Sequence, residues 1–281
     1  MQKENEIQSV TLSVIGDGNK RKRYEELTFL DDFMFGKIMS DKENCREFLR
    51  ILLKIDPETE IADPVTQNSL RNSPESKSII VDVRTHDEFN DYDIEAQKQN
   101  HPNLPKRTRY YQAMMDVDFL EAGHDYLELR NNFIIFICLH DLFGAGRPVY
   151  TFQNRCNEDN SILLSDETKK IFLVASKCDK IKSNRELRDF MEYVKTGNAE
   201  STYTQRIDEI VRKAHENPIW KREYMDAMIE DIRVEKARYE GARNNALQNA
   251  RNFLNMGLSI EMIAKGTGLS IEEIKSLQKG M

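Results

Sequence analysis

The sequence predicts an α/β or α+β core, a mixed β-sheet flanked by helices, followed by a helical C-terminal extension, and three observations carry that reading. Short β-rich segments and helix-spaced segments succeed one another up to about residue 200. One segment, Asn132 to Leu139 (NFIIFICL), is a near-continuous apolar run of strand length, as a central strand buried on both faces requires. Beyond residue 200 the composition becomes strongly helix-forming, with ten basic and nine acidic side chains between Gln205 and Asn252.

Residues 1–23 mix charged, Gly and Ser/Thr residues without period and end in Lys20-Arg21-Lys22-Arg23, which predicts a flexible arm. The fold is expected to start near Tyr24. Phe33, Phe35, Ile38 and Met39, then Phe48, Leu49, Ile51, Leu52 and Leu53, recur at helical spacing, broken at Ser40-Asp41 and stopped before Pro57. Two packed helices follow. Three strands come next, near Val65 to Leu70, Ser78 to Thr85 and Tyr92 to Gln97, separated by Pro- and Asn-containing turns. A helix is predicted from about Pro105 to Ala122, and after the apolar strand Val149 to Phe152 and Lys170 to Ala175 read as further strands. Met225, Ile229, Ile232, Tyr239, Ala246 and Ala250 fall near a heptad seam that Lys236 and Arg243 interrupt. This predicts a helical extension packed on the core or on a second copy as a homodimer. The expected divisions are an arm over 1–23, a sheet-bearing domain over 24–200 and a helical region over 201–281.

With 281 residues, 39% of them apolar and 9% aromatic, the chain is long enough to bury a full core, which excludes wholesale disorder. Its 41 basic and 48 acidic residues give a net charge of −7, which excludes a histone-like coater of DNA but permits a local basic groove. The longest apolar run is far short of the roughly 18 residues a membrane span needs. MQKENEIQSV lacks the apolar stretch of a signal peptide, so a cytoplasmic location is expected. Cys45, Cys138, Cys156 and Cys178 form no CxxC pair, which favours buried, reduced thiols over a zinc site.

The most informative stretch is SIIVDVRTHDEFNDYDIEAQ, residues 78–97. Folded as one antiparallel hairpin around His86 to Asp91, it places Val81 opposite Ala96 and Val83 opposite Ile94 on an apolar face. Ile80 opposite Gln97, Asp82 opposite Glu95 and Arg84 opposite Asp93 make the polar face. Arg84 and Asp93 are then complementary, whereas Asp82 and Glu95 are like charges about 5 Å apart at Cβ. A divalent cation removes that conflict, because Mg2+ or Mn2+ takes carboxylate oxygens and keeps other positions for water and phosphate. A solvated carboxylate at a sheet edge, or a register displaced by one residue, is the alternative.

The order Asp82, then Glu95-Ala96-Gln97, then a helix opening with Lys106-Arg107 resembles the PD-(D/E)xK nuclease superfamily. DDFMFGKIM, VDVR, YDIEAQ, LPKRTRYYQAMMD, NFIIFICLHDLFGAGRPVYTF and KIFLVAS, in that order over roughly residues 24–200, resemble its Rpn branch, the recombination-promoting nucleases also described as transposases. The resemblance implies a restriction-endonuclease-like core and a metal-dependent DNA endonuclease linked to recombination or mobile elements. DNA is the implied partner and Mg2+ the implied cofactor, with Mn2+ or Ca2+ as substitutes. Asp82 becomes the first metal ligand, Glu95 the second, and the Ala96 carbonyl a further one. Gln97 stands where the superfamily's general pattern has Lys, although Gln is the form expected in this branch. A neutral amide hydrogen-bonds an attacking water but brings no cation. Arg107 is the expected source of that charge, ahead of Lys106 and Arg109. Lys98 is weaker, because strand alternation turns it away from Gln97.

Lys98, Lys106, Arg107 and Arg109 are also the only charged residues between Ala96 and Met115, and form the candidate phosphate-binding segment. Tyr110 and Tyr111 point about 100° apart on a helix, so both cannot be core. Packing is the simpler use for the pair, and one hydroxyl reaching a sugar or phosphate is the alternative. No histidine spacing suggests a ligand pair, and Gly144-Ala145-Gly146 reads as a hairpin turn. Asp32 is read as an N-cap, with Asp32 or Glu47 as an additional acidic residue near the metal the alternative. Residues 253–278 read as two short helices across a Gly turn, resembling a helix-turn-helix pair. Glu272 and Glu273 at the start of the second helix favour packing or dimerisation over DNA reading. Two rivals to the nuclease stand: a nuclease fold that has lost catalysis and binds DNA or regulates, for which Gln97 speaks, and a protein-interaction module built on the tail.

Overall fold

The computed structural model describes residues 22–70 and 77–280, so the expected arm lies, except for Lys22 and Arg23, outside the described residues. Six strands form one mixed sheet: β1 (Val65–Leu70), β2 (Ile79–His86), β3 (Asn90–Gln97), β4 (Asn131–Cys138), β5 (Val149–Phe152) and β6 (Thr168–Val174), in the order β1-β2-β3-β4-β6-β5. β1, β2 and β3 are successive antiparallel neighbours, β3, β4 and β6 run parallel, and β5 returns antiparallel at the edge. Every β4 residue from Asn132 to Cys138 is buried, which is what its unbroken apolar run is for.

Because β3 and β4 are parallel, the chain must cross over between them, and α3 (Leu104–Phe119) makes that crossing. Pro105 stands in its first turn, where a missing N–H leaves no bond unmade. α1 (Asp32–Met39) and α2 (Lys42–Leu53) are the predicted pair. Between them Asp41 accepts from the Asn44 N–H at 2.9 Å and restarts the helix. α4 (Arg185–Thr196) is not among the elements predicted above, although Asn184 caps it and Gly197, at φ 80°, ends it. The helix-forming stretch predicted beyond residue 200 opens with two helices. α5 (Thr202–Glu216) stops at Asn217, and Pro218, which has no N–H to continue it, opens α6 (Pro218–Asn255).

Under α3, Leu104, Tyr111, Met114 and Met115 pack with Ile134, Phe136, Cys138, Phe172 and Val174, Phe136 stacking on Phe172 at 5.5 Å. Burying each such side chain is worth about 1.5–3 kcal/mol. A second aromatic cluster, Phe29, Phe48, Phe190 and Tyr203, joins α2, α4 and α5. The Tyr24 hydroxyl donates to the Ala214 carbonyl at 2.6 Å and the Tyr203 hydroxyl to the Asn44 carbonyl at 2.9 Å. These contacts bring α5 into the sheet-bearing unit, which spans Arg23–Asn217 and so extends past the division expected near residue 200.

The unit beginning at Pro218 contains α6, α7 (Ile260–Thr267) and α8 (Ile271–Lys279). Ile232 and Ala250 of the predicted seam are buried within the chain, and every position from Arg233 to Asn245 is exposed. Gly144 and Gly146 do not form the predicted hairpin turn, since β6 lies between β4 and β5. Their loop wraps Asp141, whose carboxylate accepts the N–H groups of Phe143, Gly144 and Gly146 and the Tyr150 hydroxyl. The cysteines are free thiols, and burial pushes Cys45 and Cys138 up to about 12, far from reactivity. Among the described residues no helix is long and apolar enough to cross a membrane.

Candidate active site

β2 and β3 pair with Val83 opposite Ile94, Arg84 opposite Asp93, Thr85 opposite Tyr92 and His86 opposite Asp91, the register the alternation predicts. Beyond Val83 and Ile94 the ladder opens. There the Asp82 N–H donates to Glu95 Oε1 at 2.9 Å, and the Ala96 N–H donates to Asp82 Oδ2 at 3.1 Å. Each carboxylate thus accepts a backbone N–H from the opposite strand, so neither of these N–H groups is left unpaired. Gln97, by contrast, turns its carbonyl toward β4 and accepts the Leu139 N–H at 3.0 Å. Strand alternation then aims the Ala96 carbonyl at the opened β2 side, beside the carboxylates.

α3 brings the cation. Arg107 Nη2 donates to Glu95 Oε2 at 3.1 Å and to the Tyr111 hydroxyl at 2.8 Å, while Nη1 reaches Gln97 Oε1 at 3.4 Å. Its guanidinium lies 5.1 Å from the Tyr111 ring centroid and 5.6 Å from that of Phe136. Arg107 and Tyr111 are four residues apart and share one helix face, so the tyrosine holds the arginine over the sheet. The Gln97 amide nitrogen donates to the Gln99 carbonyl at 2.6 Å, and on β1 Gln67 reaches Asp82 Oδ1 at 3.4 Å.

The site is overcharged. Burial, then the charge of Asp82, pushes the Glu95 carboxyl up to about 8. Burial raises Asp82 to about 6, with Asp32 adding to the rise. Between Asp91 and Glu95 on the same strand, Asp93 is completely buried, and neither of its oxygens has a hydrogen-bond partner. Burial, then Glu95 and Asp82, raises its pKa well above the ordinary carboxylate range. One arginine facing three buried or half-buried carboxyls does not hold all of them ionised, and hard oxygen donors that keep protons for want of positive charge suit a divalent cation that replaces those protons. Among the described residues no three or more His, Cys, Asp or Glu side chains are grouped to hold a metal, so the set on offer is Asp82, Glu95 and the Ala96 carbonyl.

The structure thus gathers Asp82, Glu95, Ala96, Gln97 and Arg107 in one place. Lys98 is elsewhere: its ammonium pairs with Asp31, ahead of α1, so its charge is already committed. Lys106 and Arg109 are exposed on the first turns of α3 and do not reach the carboxylates. The expected Arg84 and Asp93 ion pair does not form, because the long Arg84 side chain reaches diagonally to Asp91 at 2.7 Å and also to Asp118. Asp31, not Asp32, occupies the cap position of α1, and Asp32 is its first helical residue, with its charge felt at Asp82. Glu47 is held by Arg50 at 2.7 Å. Two residues escaped the sequence reading: Asp93, mispaired with Arg84, and Tyr111, which is more than packing. The four-residue spacing from Arg107 was the available signal for Tyr111.

The fold thus presents an acidic pair on adjacent strands of a mixed α/β sheet, faced by a basic residue from the crossover helix. A family model described as PD-(D/E)XK nuclease family transposase matches residues 29–249, and the chain belongs to that family. No curated protein and no solved structure matches it.

Proposed function

We propose that the protein is a metal-dependent DNA endonuclease that hydrolyses phosphodiester bonds in the service of DNA recombination or element movement. The observation that carries this reading is the opened end of the β2–β3 hairpin, where Asp82 and Glu95 are held together by backbone N–H groups and left short of positive charge. A divalent cation bound by Asp82, Glu95 and the Ala96 carbonyl would supply Lewis acidity at the scissile phosphate and acidify the attacking water. Arg107, fixed by Tyr111 and Glu95, shares the charge that develops on the phosphate oxygens. Gln97 orients the attacking water through its side-chain amide, after exchanging its contact with Gln99. Lys106 and Arg109, exposed at the start of α3, are positioned for the flanking phosphates.

One observation favours a second reading, a nuclease fold that binds DNA without cutting it. Gln97 replaces the general lysine, and its amide is already engaged on both sides. Incubating the full-length protein with supercoiled plasmid in Mg2+, Mn2+, Ca2+ or EDTA, beside Asp82→Asn and Glu95→Gln, separates the two. Cleavage in Mg2+ or Mn2+ that is lost in EDTA and in both variants is expected. Cleavage that survives EDTA or both variants sinks the mechanism, and binding with no cleavage in any metal selects the second reading.

A further inference from the structure

The end of α6 with α7 and α8 forms a small three-helix unit lying largely beyond the family match, which ends at residue 249. Its core is closed: Ala250, Ile263, Leu269 and Ile274 are buried, with Phe253, Leu258 and Leu277 packed around them. Ser259 caps α7, and Gly268, at φ +73°, ends it. Leu269 is buried in the turn, and Ser270 then caps α8 in a reciprocal box with Glu273. Two helices joined across a three-residue glycine turn, with the first packed on a third helix, are the arrangement of a helix-turn-helix.

α8 spends only Ile274 and Leu277, with part of Glu273, on this core. At about 100° per residue, its exposed positions Gln278, Ile271, Lys275, Lys279, Glu272 and Ser276 follow one another around a single arc, with the two lysines near its middle. Glu273, one of the two acids that argued against DNA, is tied into the cap and paired with Arg243 at 2.6 Å. The unit itself is close to neutral, with four basic and three acidic residues from Ala246 to Gly280, in a chain whose net charge is −7. A face this polar, with Ile271 its one large apolar side chain, lacks the apolar centre of an interface between copies. Lysine, serine and glutamine suit phosphates and base edges.

We propose that this unit is a second DNA-binding site, which places the exposed face of α8 in the major groove of duplex DNA, separately from the hydrolytic site. The test measures binding of the full-length protein to a duplex by fluorescence anisotropy in EDTA, where cleavage is off, over a salt series. Lys275→Ala with Lys279→Ala is compared with wild type. Losing two phosphate contacts is expected to lower the slope of log affinity against log salt by about 1.8, and to weaken binding at least tenfold at low salt. An unchanged circular dichroism spectrum and melting temperature show that the variant is folded. Hydrolysis is scored separately, as plasmid cleavage by the same lysine variant in Mg2+, so either site can fail without the other. Equal affinity and slope in wild type and the lysine variant overturn the proposal. So does a variant that loses self-association in sedimentation while keeping DNA, which would make α8 an interface between copies.

Discussion

The β2–β3 hairpin carries two groups of acids at similar depth and treats them in opposite ways. Toward the turn, Asp91 is clamped by Arg84, which Asp118 also holds. Nearby, Asp87 accepts from Asn90, Tyr92 and the Phe89 N–H. Burial opposes ionisation of Asp87, yet those hydrogen bonds outweigh it and hold the carboxyl below its ordinary value. Toward the open end, Asp82, Asp93 and Glu95 share one arginine and all shift upward. Asp91 and Glu95 are 4% and 3% exposed, so burial does not distinguish them, and the supply of positive charge does. A fold that satisfies acids at one end of a hairpin and leaves them short of positive charge at the other marks that end as a candidate ligand site.

The hardest way to break that contrast is to neutralise its open end. Glu95→Gln is expected to lower plasmid cleavage by about 10³-fold or more, the scale on which groups acting as a unit fail. Above about pH 8, where Glu95 is ionised, the same change should also raise the melting temperature of the protein in EDTA. A Glu95→Gln variant that cleaves normally, or melts earlier, would show that Glu95 is an ordinary structural acid. The matching change at the turn has the reverse signature. Asp91→Asn deprives a half-buried arginine of its bidentate partner and should cost about 3 kcal/mol in denaturant unfolding. Any cut in its activity should follow that loss of folded protein.

Titration sharpens the contrast next. Folded Glu95 holds its proton up to about 8 against an ordinary 4.5, and Asp82 up to about 6 against 3.8. Through these intervals the folded state binds more protons than the unfolded one, so the site's contribution is complete at low pH and declines as pH rises. In EDTA, melting temperature should therefore fall between about pH 5 and pH 8, less steeply in Glu95→Gln. Mg2+ must displace those protons, and so should stabilise the protein more at pH 8 than at pH 6. An equal Mg2+ effect at both values would place the cation away from these carboxylates.

Much of this hairpin is legible in the sequence because alternation fixes its register: Val83 and Ile94 must share a face, and Asp82 must then meet Glu95. The start of the following helix offered Lys106, Arg107 and Arg109 as cations, and the folded chain turns Arg107 toward Glu95. Asp93 was not, since strand register says which residue lies opposite but not how far a long arginine leans. The second partner of Arg84, Asp118, is supplied by α3, 34 residues along the chain. α4 carried readable signals in Asn184 and Gly197, yet it lies between segments with stronger patterns. The break between α5 and α6 was marked by Pro218, but a shared helix-forming composition on either side concealed it.

The smallest expected effect tests whether Arg107 is held ready or finds its own place. Tyr110 and Tyr111 are neighbours with different fates. The Tyr110 hydroxyl donates to the Lys77 carbonyl at 2.8 Å, while the Tyr111 hydroxyl lies 2.8 Å from the Arg107 guanidinium that faces Glu95. Tyr111→Phe keeps the ring beneath the guanidinium and removes only the oxygen, so fold and melting temperature should hardly move. Support of this outlying kind is worth roughly 10- to 100-fold in activity, and the low end is expected because Glu95 and Gln97 still contact the arginine. The loss should appear in kcat with DNA affinity in EDTA unchanged, and Tyr110→Phe should show neither. Equal cleavage by both phenylalanine variants would mean that Glu95 and Gln97 position Arg107 without the tyrosine hydroxyl.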